Sequence, residues 1–279
     1  MKPVAFAYAC PAGIDEAVGL LGAVDGAKIL AGGQTLGPLL NLRLAQPRLV
    51  IDITRIAELI RVEETRDAIV YGACITHAAF EDRRPPDAAN GLLAQVARGI
   101  GYRAVRCRGT IGGSLAYADP AADWIAALAA LDAEVLITGP RGRRRVRVTA
   151  FMRGAMAPDL DSAELIDGVS VPRVSARARY GYAKICRKVG EFPEAIGVVV
   201  HDPARDDVRL VSGATGGRPI VLSAPDVMPK APPGLPAPQH FELTCAMESL
   251  RREGLGDSRY ELKIHAVALK RALEQATSL

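Results

Sequence analysis

Two glycine pairs constrain this chain more than any other feature: Ala31-Gly32-Gly33-Gln34-Thr35 and Thr110-Ile111-Gly112-Gly113-Ser114. Each adjoins an apolar stretch and ends in a hydroxyl residue. A Gly-Gly pair lets the backbone take positive φ and removes the Cβ atoms that would hold a ligand off. The N–H groups exposed in this way can cradle phosphate, and the Thr and Ser hydroxyls add donors. One such pair is usually only a turn. Two, each leading into a helical pattern, could close on a diphosphate from both sides, which makes a large dinucleotide the leading ligand.

The flanking pattern frames these loops. Residues 6–11 read as an opening strand. Residues 14–24 read as a helix with Asp15 and Glu16 suited to its first turn. Strand 27–30, a short helix over 37–44 and strand 49–53 complete a β-α-β-loop-helix-β lobe. A second lobe begins near Ile56. It holds paired strands at 59–62 and 68–72, a helix opened by Thr76, a polar loop over 82–90 and a helix over 91–100. A buried alanine-rich helix over 124–131 follows. Then 133–138 and 146–148 flank the hairpin signal Gly139-Pro140-Arg141-Gly142. Strand 166–171 runs to Pro172, a domain boundary. Beyond it, strands at 179–187, 195–201 and 208–213 predict a small antiparallel sheet. The proline-rich stretch 225–238 excludes regular helix or inner strand. Helices over 241–253 and 260–276 close the chain, the last capped by Asp257 or Ser258.

Composition removes several function classes. At 279 residues and 49% hydrophobic, the chain can build two or three compact units. A net charge of +4 with 5% aromatics gives no footing for nucleic acid. The five cysteines (Cys10, Cys74, Cys107, Cys186, Cys245) are scattered without a C-x-x-C pair. That argues against a disulfide framework, structural zinc or an iron–sulfur cluster held here. No apolar signal region follows Met1, and the longest apolar run, 124–136, is cut by Asp132 and Glu134. A cytoplasmic protein is expected.

Other motifs carry two readings. Gly99-Ile100-Gly101-Tyr102-Arg103-Ala104 matches G-x-G-x-x-A, but it follows a helical pattern, so the nicotinamide-binding context fails. His77, His201, His240 and His265 lack metal spacing. The basic run 141–147 is a solvated ribbon or a docking edge. Arg103, Arg106 and Arg108 crowd the second loop, either to neutralise a diphosphate or only to meet solvent.

The ordered motifs resemble the FAD-binding medium subunits of molybdenum hydroxylases, the carbon monoxide dehydrogenase and xanthine dehydrogenase family. The resemblance rests on the first glycine loop followed by Asn41-Leu42-Arg43-Leu44 and Val50-Ile51-Asp52-Ile53. Tyr71-Gly72-Ala73-Cys74-Ile75-Thr76-His77 continues it. Its most specific part runs unbroken from Arg103 to Ala116, extended by Ala118-Asp119-Pro120-Ala121-Ala122-Asp123. It goes on through Lys184 to Phe192 and covers nearly the whole chain.

That resemblance implies an α+β fold. A two-lobed FAD-binding domain over 1–173, with lobes 1–55 and 56–173, precedes a C-terminal domain with a small antiparallel sheet over 174–279. It implies that Ile29, Leu30, Ala31, Gly32, Gly33, Gln34, Thr35 and Leu36 bind FAD from the first loop. Gly109, Thr110, Ile111, Gly112, Gly113, Ser114 and Tyr117 would bind it from the second. Both loops would hold the diphosphate through backbone N–H groups. Asp123 would bond flavin-side hydroxyls, Ile166 would line the adenine end, and Lys184 would lie beside the isoalloxazine ring. No catalytic residue and no metal are expected in this chain. The family further implies a large subunit with the molybdopterin cofactor and a small one with two [2Fe–2S] clusters, paired as a dimer of heterotrimers. Electrons would pass from those clusters through FAD to an external acceptor. The alternative is a stand-alone FAD-dependent oxidase or reductase of the related flavin-binding superfamily.

Overall fold

The computed structural model describes residues 2–231 and 238–278. Its first unit is a parallel sheet in which Leu49–Asp52 lies between Ala7–Ala9 and Lys28–Leu30. Parallel neighbours need crossovers, and the helices Ile14–Ala23 and Leu36–Asn41 supply them. Ile14, Ala17, Val18 and Leu21 are the buried residues of the first helix, the i, i+3, i+4, i+7 stripe of a one-sided helix.

The second unit is a five-stranded antiparallel sheet. Its order is Val62–Glu64, Ala68–Gly72, Leu165–Pro172, Glu134–Gly139, Gly142–Arg147. The central strand Leu165–Pro172 is buried from Leu165 to Val171, so it reads as a continuous run rather than an alternation. The expected strand at 59–62 is corrected: Ala57–Ile60 is one 3₁₀ turn, and the strand starts at Val62. The backbone there turns over the end of the sheet. The Leu59 carbonyl accepts the Cys74 N–H at 2.8 Å and sits where a Gly72 Cβ would be. The Asp123–Ala130 helix is buried at every position, as its alanine-rich sequence requires.

The third unit is an antiparallel sheet in chain order: Arg179–Ile185, Ala195–Asp202, Asp207–Gly213 and Ile220–Leu222. The fourth strand, Ile220–Leu222, is additional to the three that the sequence pattern predicts. Strand periodicity divides the sheet faces. Tyr182, Val198 and Val211 join the core of the preceding units, whereas Ala183, Val199 and Leu210 pack under Leu243–Arg252 and Arg259–Thr277. A Cβ at Gly181 or Gly197 would collide with the backbone of Ala272 or Ala268. These two glycines therefore let the last helix lie directly on the sheet. Ser258, not Asp257, caps that helix by accepting the Glu261 N–H.

Within the proline-rich stretch, Ala224–Val227 forms one helical turn despite Pro225. Proline is tolerated at a helix start, where its missing N–H is not needed. Ser223 and Asp226 close the turn with a capping box. Residues 232–237 of that stretch lie outside the described residues. Among the described residues, no helix is long and apolar enough to cross a membrane.

Candidate functional site

The first glycine loop leaves the carboxyl end of the parallel strand Lys28–Leu30, the end at which open α/β sheets bind ligands. Gly33 sits at φ 72°, a region that L side chains enter only with strain. The N–H groups of Gly32, Gly33, Gln34 and Thr35 donate to no acceptor among the described residues. Buried or half-buried amides are normally paired. Four consecutive open donors, three of them on buried or half-buried residues with Gln34 exposed, suit an anion. Ile29, Leu30 and Leu36 flank it, all half-buried.

The second loop is built differently. Ile111 donates its N–H to the Ile75 carbonyl at 3.1 Å and Gly112 to the Ala73 carbonyl at 2.9 Å. Gly113 donates to Thr110 Oγ1 at 3.1 Å, Ser114 to the Thr110 carbonyl, and Gly109 to the Val105 carbonyl. Only the Thr110 N–H in this run lacks an acceptor among the described residues. The expectation that both loops offer a phosphate their backbone donors is thus corrected. Residues 111–117 are already the Ile111–Tyr117 helix, and their amides are engaged within the protein. What this loop presents is hydroxyl groups, on Thr110 and Ser114, and close packing. Gly112 is required because a Cβ there would lie 2.5 Å from the Ala73 Cβ.

The loops are docked against each other. A Cβ on Gly32 would strike the Arg108 carbonyl and come within 2.8 Å of the Gly109 Cα. A Cβ on Gly109 would in turn lie 2.8 Å from His77 Nε2. His77, Gly109 and Gly32 form a stack across the two lobes. Its closeness depends on both glycines.

Of the three arginines near the second loop, two are committed elsewhere. Arg103 pairs with Glu81 at 2.6 Å and Asp82 at 2.7 Å. Arg106 grips Glu81 and caps the carbonyls of Ile100 and Gly101. Glu81 is held below the usual carboxylate range, chiefly by its hydrogen bond from Arg106. Arg108 is exposed and makes no ion pair among the described residues. The basic ribbon is likewise paired: Arg144 bridges Glu164 and Asp159, and Arg141 meets Asp161.

Asp123 opens the buried alanine-rich helix and is 6% exposed. Lys184 Nζ lies 2.6 Å from its Oδ1 and 3.1 Å from the Gly99 carbonyl. The Tyr182 hydroxyl donates to the same Oδ1. Burial pushes the Asp123 carboxyl up, while Lys184 and then Tyr182 pull it back toward ionisation. Burial and the Asp123 charge hold the Tyr182 phenol well above its ordinary value. The family resemblance points to Asp123 and Lys184 but not to Tyr182. The available signal was the i, i+2 spacing of Tyr182 and Lys184, which puts both on one face of a strand.

Two other expected positions lie apart from this cluster. Ile166 is buried opposite Ile137 in the middle of the five-stranded sheet. Tyr117 is half-buried at the end of its helix, just before Ala118 at φ 51°.

A dinucleotide carrying a diphosphate and polyol hydroxyls suits this donor and acceptor set. Residues 4–174 match the family described as the FAD binding domain in molybdopterin dehydrogenase. The nicotine 6-hydroxylase medium subunit of Paenarthrobacter nicotinovorans is 37% identical over 232 residues, covering 82% of this chain and 81% of the relative. The carbon monoxide dehydrogenase medium chain of Afipia carboxidovorans is 30% identical over 99% of this chain and 98% of the relative. Carbon monoxide dehydrogenase from Hydrogenophaga pseudoflava superposes with a TM-score of 0.85 at 31% identity, over 99% of this chain and 98% of that one. The α+β fold is therefore that of a carbon monoxide dehydrogenase medium chain. The protein belongs to the FAD-binding domain family of the molybdopterin dehydrogenases, and so to the oxidoreductases.

Proposed function

We propose that this chain is the FAD-binding medium subunit of a heteromeric molybdenum hydroxylase. It would work with a large molybdopterin subunit and a small subunit holding two [2Fe–2S] clusters, as a cytoplasmic dimer of heterotrimers. When bound, FAD supplies a redox centre between those clusters and an external electron acceptor. The observation that carries this reading is the run of open amides from Gly32 to Thr35, docked against the second loop.

Each residue then has a defined task. The amides of Gly32, Gly33, Gln34 and Thr35 bind the diphosphate, with Ile29, Leu30, Ala31 and Leu36 shaping the cradle. Thr35, Thr110 and Ser114 donate hydroxyl hydrogen bonds. Gly109, Ile111, Gly112 and Gly113 hold the second wall close, Tyr117 gives it apolar surface, and Ile166 lines the adenine end. Asp123 accepts from a polyol hydroxyl, and Lys184 brings a positive charge that favours a reduced, anionic ring. Residues 1–173 form the cofactor domain and 174–279 a domain that closes over it with Lys184.

The names of the relatives support a division of labour. They span nicotine, caffeine, carbon monoxide and glyceraldehyde, yet all share this chain's sequence pattern. Substrate choice then belongs to another subunit. Anaerobic addition of a substrate to the purified complex should bleach its flavin absorption, whereas the isolated chain given the same substrate should not respond. Direct bleaching of the isolated chain would instead support a self-sufficient flavoenzyme.

A further inference from the structure

Asp123 serves two neighbours with one oxygen. Lys184 and Tyr182 both bond Oδ1, and apart from Asp123's own backbone N–H the carboxylate takes no other hydrogen bond among the described residues. A carboxylate offers about four lone-pair sites, so Asp123, 6% exposed, keeps capacity on Oδ2 for a further donor. Lys184 is also only partly engaged: its ammonium has three protons, and Asp123 and the Gly99 carbonyl take two. Tyr182 differs from both. Its single donor is fully committed to Asp123, so it has no proton to offer a ligand.

The fold fixes this arrangement from three sides. Tyr182 and Lys184 alternate on the Arg179–Ile185 strand and share a face. The Tyr182 N–H donates to Gln275 Oε1 at 2.9 Å, tying the strand to the last helix. Asp123 comes from the first position of a fully buried helix.

We propose that Tyr182 is a positioning residue: by holding Asp123 Oδ1 together with Lys184, it keeps Oδ2 turned outward as the acceptor for a cofactor hydroxyl. Without the phenol, Lys184 is the one side-chain partner left among the described residues. The carboxylate is then free to rotate about χ2 and give both oxygens to the ammonium. The ligand loses its acceptor although Asp123 and Lys184 are unchanged. The proposal rests on the reading that this site takes FAD.

A double-mutant cycle on FAD dissociation from the complex purified with its partner chains tests it, using the fluorescence of released FAD. Tyr182→Phe keeps the ring and its packing and should weaken FAD retention about tenfold, the order carried by a hydrogen bond to a charged group. In an Asp123→Asn background the same change should add little, because the group it positions is already altered. A purely structural tyrosine would give the same factor in both backgrounds, and that additivity would overturn the proposal, as would full retention in Tyr182→Phe. Unchanged retention in Asp123→Asn alone would overturn the reading beneath it and the proposal with it. Tyr182→Met, which also lacks the hydroxyl, repeats the cycle if the phenylalanine variant fails to assemble.

Discussion

Trp124 donates its indole N–H to His77 Nδ1 at 3.0 Å, in the interior beneath the second glycine loop. Indole nitrogen can only donate, so Nδ1 must accept and the ring proton sits on Nε2, the edge that faces Gly109. Burial, aided by nearby Arg106, lowers the His77 pKa to about 4. His265, which bonds buried Ser212 at 2.8 Å, is lowered to about 4 by burial alone. Both imidazoles are neutral in the folded chain at ordinary pH.

A pH dependence follows. In the unfolded chain each histidine titrates near its ordinary 6.5, so between 6.5 and about 4 the unfolded state binds more protons. Stability is fully present above that window. It falls as pH drops through it and levels off below about 4, by at most about 3 kcal/mol per histidine. Urea midpoints measured from pH 7 to 4.5 should decline, and His77→Gln should flatten the slope. An unchanged slope in that variant would remove His77 from the cause.

Gly32 and Gly33 are expected to fail for different reasons. Gly32→Ala collides with the Arg108 backbone, which cannot swing away, so the loops must part. Gly33→Val is strained at φ 72°. Both should abolish FAD retention, read as flavin-to-protein ratio after desalting. Gly19→Ala is the contrast: its Cβ meets open space in a helix interior, and the change should stabilise by about 0.5–1 kcal/mol with FAD retained.

Arg108 and Arg103 should behave oppositely. Arg108→Ala removes an uncommitted cation beside the first loop, so FAD binding should weaken several-fold, most clearly at low salt. Arg103→Ala removes a guanidinium already held by Glu81 and Asp82 and should leave the FAD dissociation constant unchanged. Equal effects would contradict the assignment.

Lys184→Ala leaves Asp123 buried with Tyr182 as its one remaining side-chain partner among the described residues. Breaking a buried pair from one side costs about 3 kcal/mol, so the melting temperature should drop. Flavin that remains bound should also show a lower reduction potential, because a cation near the ring favours its reduced form. Lys184→Ala/Asp123→Asn should recover part of the lost stability. Potentiometry and calorimetry on the purified complex read both effects.

The sequence and the structure agree where local pattern decides. The first glycine loop, the β-α-β order of the first lobe and the three expected antiparallel strands of the C-terminal sheet follow from apolar period and turn chemistry. What stayed hidden depends on distant partners. Which amides of the second loop are open is decided by the carbonyls of Ala73 and Ile75, far back in the chain. Whether an arginine is free depends on Glu81 and Asp82, placed by a different helix. Tyr182 reaches Asp123 across 59 residues, and no spacing rule links them. The turn at Ala57–Ile60 has the apolar look of a strand, but only Leu59 is buried, by the sheet end rather than by sheet pairing, and Ile60 is exposed.

The most direct test is the visible absorption spectrum and subunit composition of the natively purified protein. One FAD per chain is expected, with broad iron–sulfur absorption and a large and a small partner on the gel. A well-folded chain that carries no flavin, or a flavin-bearing chain that purifies alone and is reduced directly by substrate, would contradict the assignment of an electron-transferring FAD subunit.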